Sequence, residues 1–407
     1  MKVDRDRLVE TASRMIEVPS FTGDEQGMAE LMASLYEELG LHVQWQQVED
    51  TRANALGTWA GDGGGPSLMF NGHMDTSYSG REPWLRAVPG FQPKAFERDG
   101  RLYGLGISNM KGALACYIEA VRALQEAGIR LRGDVLVAAV CGEIEKTQHG
   151  DASGAEYRGY AAGSRYLVSH GGVADMCLLG EPTEGTIVLG HFGALWVRIR
   201  VHGNFVHTAF SEGRRGENSI LRAHEVVDAI VDWMPMWEDD PSNSYRGANA
   251  IVNLGAIEGG FGWRLSRTPH HTDVFLDVRV PPTKEMAVAR REVLDLVRSL
   301  AARWPDYGIE GEVYVTAPGS EIDPDHELVA AIDAAHEHVF GAKPERGATR
   351  WFSDASVLVR YGIPTVNYGT STGLMDVELG ENLEIDGLVR TAEVYARVAT
   401  EVCGVAS

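Results

Sequence analysis

Leu, Met and Ile recur at helical spacing over residues 5–18 and 25–40, with Gly40 placed to stop the second run. Short apolar stretches follow, and 43–45, 53–59 and 67–70 read as strands. The run Gly61-Asp62-Gly63-Gly64-Gly65-Pro66 makes a turn between the last two. The pattern continues as a helix over 110–128, a strand over 134–140, a helix near 160–170 and a strand over 176–179. Such alternation predicts an α/β layer with a largely parallel sheet and a site at the strands' C-terminal ends.

The texture changes after Glu181-Pro182-Thr183. A strand over 195–201 and a helix over 217–236 are followed by strands near 250–257 and 273–280. A long helix over 283–303 and a strand near 311–315 complete that segment. From Ile322 onward the pattern predicts helices, a strand over 365–368 and a last helix near 386–403. No internal repeat or low-complexity linker interrupts it.

A chain of 407 residues is longer than one core usually fills, which predicts two domains. No run of 18 apolar residues occurs, so no membrane span is expected, and the charged start Met1-Lys2-Val3-Asp4-Arg5 lacks a signal-peptide core. Cys116, Cys141, Cys177 and Cys403 have no metal-ligand spacing and sit in or beside apolar runs. They read as reduced, buried thiols of a cytoplasmic protein. A formal net charge of -21 argues against nucleic acid and anionic membranes as partners.

Two stretches carry chemistry. Asp99-Gly100-Arg101-Leu102-Tyr103-Gly104-Leu105-Gly106-Ile107-Ser108-Asn109-Met110-Lys111-Gly112 is a glycine-punctuated turn leading into a helix. Before it, Gly72-His73-Met74-Asp75 ends an apolar run, and a His with a carboxylate two residues on suits a metal ligand and its orienting neighbour. Together they resemble the metallohydrolase family of acetylornithine deacetylase, succinyl-diaminopimelate desuccinylase and glutamate carboxypeptidase. Leu105 replaces the family's usual Arg, and Asn109 replaces the Asp that bridges two metal ions.

The resemblance implies an α/β metallopeptidase-like catalytic domain over 1–191 and 318–407, with a mainly parallel sheet. It implies an inserted α+β lid and dimerisation domain over 192–317. Residue by residue, His73 matches the first metal-binding His and Asp75 its orienting acid. Gly142-Glu143-Ile144 falls on the family's paired-acid motif, so Glu143 matches the general base and Ile144 replaces a metal-binding Glu, with Glu145 as a compensating acid if the loop shifts register. Gly180-Glu181-Pro182-Thr183 matches the next ligand motif and points to Glu181. Val377 stands where a second His is expected, four residues before Glu381. His207 matches a His that reaches the neighbouring subunit's site, Asn218 lies in a matching Gly-x-Asn segment, and Arg279 matches an Arg near the substrate carboxylate. Trp84 and Trp263 are candidate pocket walls. Simpler readings stand beside these: Asn109 as a helix N-cap, Glu181 as a helix-cap carboxylate, His207 as a strand-end His and Arg279 as a surface ion pair.

Ile144 and Val377 would empty one ion's ligand set, which predicts one divalent transition metal ion (Mn, Zn or Co) at His73, Asn109 and Glu181, weakly held. The expected partners are a small carboxylate-bearing substrate and a second copy of the chain. The depleted ligand set resembles the family's 5-nitroanthranilate aminohydrolase branch, so the favoured expectation is hydrolysis of a C–N bond that releases ammonia from an aromatic amine. The alternatives are an amide hydrolase of N-acyl amino acids or small peptides, and a catalytically dead ligand-binding relative.

Overall fold

The computed structural model describes residues 2–370 and 378–406. Helices α1 (Arg5–Glu17) and α2 (Gln26–Glu38) open the chain, followed by strands β1 (His42–Glu49), β2 (Arg52–Trp59) and β3 (Leu68–His73). Helix α3 (Gly112–Glu126), strand β4 (Val135–Val140), helix α4 (Ala162–Ser169), and strands β5 (Met176–Leu179) and β6 (Ile187–His191) come next. The inserted segment holds β7 (Gly193–His202), α5 (Ser219–Glu238), β8 (Val252–Gly259), β9 (His271–Val280), α6 (Met286–Arg303) and β10 (Glu310–Ala317). The chain then runs through α7 (Glu327–Phe340), α8 (Ala355–Leu358), β11 (Thr365–Asn367) and α9 (Ile385–Cys403).

Two compact units result. One comprises Met1–Gly190, Glu321–Gly347 and Ser353–Ser407; the other comprises His191–Ser320 and Ala348–Phe352. The short return segment of the second unit has no counterpart in the sequence expectation, which placed 348–352 in the catalytic domain.

The first unit is built on a sheet of order β1-β2-β4-β3-β5-β11-β6. Its centre, β4-β3-β5-β11, is parallel, while β1-β2, β2-β4 and β11-β6 pair antiparallel. The parallel core explains the unbroken apolar run Val135-Leu136-Val137-Ala138-Ala139-Val140, buried throughout because both faces are covered. Phe70 on β3 stacks on Tyr117 of α3 at 5.0 Å and leans on Tyr395 of α9 at 5.7 Å, which ties both helices to one face. Helices α4 and α8 pack against each other, α4 on β4 and α8 on β11.

The second unit is an antiparallel sheet of order β8-β9-β7-β10, with a core that includes residues of α5 and α6. All four cysteines are buried and free. Among the described residues no helix is long and apolar enough to cross a membrane.

Candidate metal centre

The C-terminal ends of three of the four central parallel strands each deliver one polar side chain, the placement expected for an α/β site. His73 is the last residue of β3, Glu143 follows β4 by three residues, and Glu181 follows β5 by two. One ligand atom from each lies within 4.8 Å of the others. All three are nearly fully buried. Among the described residues no other group of three His, Cys, Asp or Glu side chains converges in this way.

Asn109 completes the cluster. Its Oδ1 lies 2.9 Å from His73 Nε2. The helix expected from residue 110 begins two residues later: Asn109 and Met110 have non-helical backbone, their connecting peptide is cis, and Lys111 occupies the N-cap. With the N-cap at Lys111, the N-cap reading of Asn109 is excluded. The loop is pinned by Glu381, whose Oε2 accepts from Gly106 N at 2.8 Å and from Ser108 Oγ at 3.2 Å. Lys111 Nζ donates to the Val18 carbonyl at 2.8 Å. The helix-cap reading of Glu181 fails as well, since residues 182–186 turn directly into β6.

Asp75 acts mainly through its backbone. The carbonyl faces His73 Nδ1 at 2.9 Å, whereas the carboxylate stands at 3.5 Å. The carboxylate accepts instead from Glu143 N, Ile144 N and Thr22 Oγ1, at 3.0, 3.2 and 3.0 Å. It therefore fixes the loop that bears Glu143. That loop needs a glycine at its start: Gly142 has φ +66, and a Cβ there would meet Arg52 Nη2 at 2.0 Å. Arg52 is wholly buried and forms a two-bond pair with Glu25, at 3.0 and 2.8 Å, while donating to the Arg158 carbonyl at 2.7 Å.

Burial opposes the His73 imidazolium, yet Asp75, Glu181 and Glu143 hold its pKa well above the ordinary value. Burial would also raise Asp75, but the nearby His73 charge and the bond from Glu143 N keep it at about 2. Burial and then the Glu181 charge push Glu143 well up. Glu181 itself is raised by burial to about 7.

These residues fit a divalent ion. Glu181 Oε1 is buried with no hydrogen-bond partner among the described residues, and it stands 3.8 Å from His73 Nε2. An imidazole nitrogen, an amide oxygen and carboxylate oxygens suit Zn, Mn or Co. The carbonyl on Nδ1 leaves Nε2 to face the ion, the usual support for a metal-binding His.

Burial raises Glu25, Asp354 and Glu381 to about 7, as it does Glu181. Each binds its proton more tightly folded than unfolded, so stability falls as pH rises from the ordinary carboxyl range toward about 7. A divalent ion competes with the protons on Glu181. The metal-free melting temperature is expected to fall between about pH 5 and about pH 8, and its gap to the metal-loaded protein to widen. Calorimetric scans with and without chelator check this; a gap independent of pH would contradict it.

The remaining expectations fare unevenly. Glu145 is half-buried and outside the converging group, and Ile144 is buried. Val377 lies outside the described residues. Asn218 is committed as the N-cap of α5, its Oδ1 accepting from Ile220 N at 2.9 Å. His207 caps a short turn in the second unit, accepting from Ala209 N at 3.2 Å. Arg279 pairs with Asp277 at 2.7 Å and donates to the Arg350 carbonyl. It lines a cavity of about 310 Å³ with Ile251, Asn253, Asp277, Arg350 and Trp351. Trp84 and Trp263 stand on the surface of their own units, 70% and 78% exposed. Sequence reasoning missed Asp354, Thr22 and the Glu25–Arg52 pair. Asp354 had only the signal of an acid opening an apolar run, which reads as a helix cap.

The chain belongs to peptidase family M20/M25/M40, whose profile matches residues 69–401. It is a metal-dependent hydrolase acting on carbon–nitrogen bonds. Over nearly its full length it is 25% identical to the acetylornithine deacetylase of Klebsiella pneumoniae (strain 342), covering 99% of this chain and 100% of that one. Its fold is similar to a tripeptidase of Staphylococcus aureus (TM-score 0.78, 19% identity, 99% and 100% of the chains covered). It is also similar to the aminopeptidase PepT of Bacillus cereus (TM-score 0.76, 21% identity, 98% and 99% covered).

Proposed function

We propose that the chain hydrolyses the amide bond of an N-acyl amino acid or small peptide, using one divalent ion held by His73, Asn109 and Glu181. The observation that carries the reading is the convergence of His73, Glu143 and Glu181 around the unpartnered Glu181 oxygen. Such an ion supplies Lewis acidity, polarising a carbonyl and lowering the pKa of a water. Glu143 is the general base: its carboxylate takes a proton from the attacking water and delivers it to the leaving nitrogen. Asp75 holds His73 and the Glu143 loop in register.

In the second unit, the Arg279 cavity, with Arg350 and Trp351, is the proposed seat of the substrate carboxylate. In the proposed homodimer, His207 steadies the developing oxyanion of the partner's site. Strand β8 forms a sheet edge and is largely exposed, as a pairing surface would be.

The deacetylase relative reverses the order of the two readings drawn from sequence. Release of ammonia from an aromatic amine retains the sequence departures at Asn109, Ile144 and Val377 in its favour. A panel of N-acetylornithine, other N-acyl amino acids, di- and tripeptides and 5-nitroanthranilate, assayed with Mn, Zn and Co, decides between them. Turnover of acyl amino acids or peptides supports the proposal, and His207→Ala should then lower kcat without changing metal content. Turnover of the aromatic amine alone would restore the other reading.

A further inference from the structure

One face of the parallel sheet carries a polar layer around the candidate metal centre. Phe70, Leu178 and Val366 lie in the main hydrophobic core with residues of α3 and α9. Asn71, Leu179 and Asn367 share one register row on neighbouring strands, one residue further along, so they face the opposite way, toward α4 and α8. His73, two residues beyond Asn71, shares that face.

Four buried polar atoms in this region have no hydrogen-bond partner among the described residues: Asn71 Oδ1, Asn367 Oδ1, Glu181 Oε1 and Asp354 Oδ1. Buried polar atoms are nearly always satisfied, so this group requires an occupant or a charge balance that protein atoms do not provide.

Asp354 is the informative member. It enters immediately before α8, far in sequence from the strand-end ligands, and is 1% exposed. The side chains that act on it most strongly are His73, Glu181, Ser164 and Asp75, and Glu143 feels its charge in turn. The one cation in that set, His73, is already shared by Glu181, Glu143 and Asp75. Glu143, Glu181 and Asp354 thus share one imidazole, while the Asp75 carboxylate is already held by backbone and hydroxyl donors. Ionised carboxylates at such depth are costly unless a cation accompanies them.

We propose that Asp354 is a further residue of the metal centre, whose carboxylate supplies negative charge to the ion held by His73, Asn109 and Glu181. It restores to the site the charge that an amide at position 109 does not carry. This rests on the proposed metal site, and the experiment separates the two.

Chelator-stripped wild type, Asp354→Asn and His73→Ala are titrated calorimetrically with Mn²⁺ and Zn²⁺, and the melting temperature of each stripped protein is recorded. Asp354→Asn should weaken divalent-ion affinity ~10–100-fold, the usual loss when a supporting partner of a metal site is removed. Stripped Asp354→Asn should melt at or above stripped wild type, because an unbalanced buried carboxyl has gone. Unchanged affinity overturns the proposal. So does a stripped variant that melts lower or fails to fold, since Asp354 would then be a structural group. If wild type binds neither ion, or His73→Ala binds as tightly as wild type, the metal site itself fails. If only His73→Ala loses the ion, Asp354 alone is misassigned.

Discussion

Replacing Glu143 by glutamine is expected to lower turnover ~10²–10⁴-fold, the usual size of a general-base loss. Glutamine keeps the shape of the side chain and leaves the backbone bond from residue 143 to Asp75 Oδ1 in place. Fold and divalent-ion content should therefore be nearly unchanged, and the loss should fall on kcat. Steady-state rates on the best substrate of the panel, measured beside metal content and circular dichroism, check the result. A near-normal rate would move the proton transfer to another group, with Glu145 the next to replace.

Arg52→Met is expected to destabilise the protein by ~3–5 kcal/mol, the range for removing one partner of a buried ion pair. Both side chains of the Glu25–Arg52 pair are fully buried, so the stranded carboxylate has no water to turn to. Glu25 is already raised to about 7, by burial first and the Asp75 charge second, against the pull of Arg52. Without Arg52 it escapes by taking a proton, so the loss should shrink at acidic pH. Urea unfolding of wild type and variant at two pH values tests both statements. A loss below ~1 kcal/mol, the size of an exposed pair, would show that the pair does not brace the Glu143 loop.

Apolar periodicity revealed the α/β layer and most elements to within a few residues, while the inserted segment was implied by the family resemblance. Strand direction was less visible. Residues 135–140 read as a buried strand from their unbroken apolar run, but nothing in β2 announces that it runs antiparallel to β4, because pairing direction leaves the side-chain period unchanged. The candidate site was legible where its proposed ligands sit in short local motifs that match the family's, as at His73 and Glu181. It was not legible where a residue arrives from far along the chain. Asp354 opens an apolar run, and the same pattern serves ordinary helix starts. Arg52 and Glu25 stand 27 residues apart, and only the folded sheet brings them beneath Gly142. Asn218 shows the reverse: a motif asparagine whose oxygen is used in capping a helix.

Counting metal in the active protein decides whether a single divalent ion sits at His73, Asn109 and Glu181. Elemental analysis after controlled loading, followed by a crystal structure using anomalous scattering at the metal edge, gives both number and place. One ion per chain is expected, in contact with those three side chains and removed by chelator together with activity. Two ions ~3.5–4 Å apart, the spacing of two-metal sites, would contradict it.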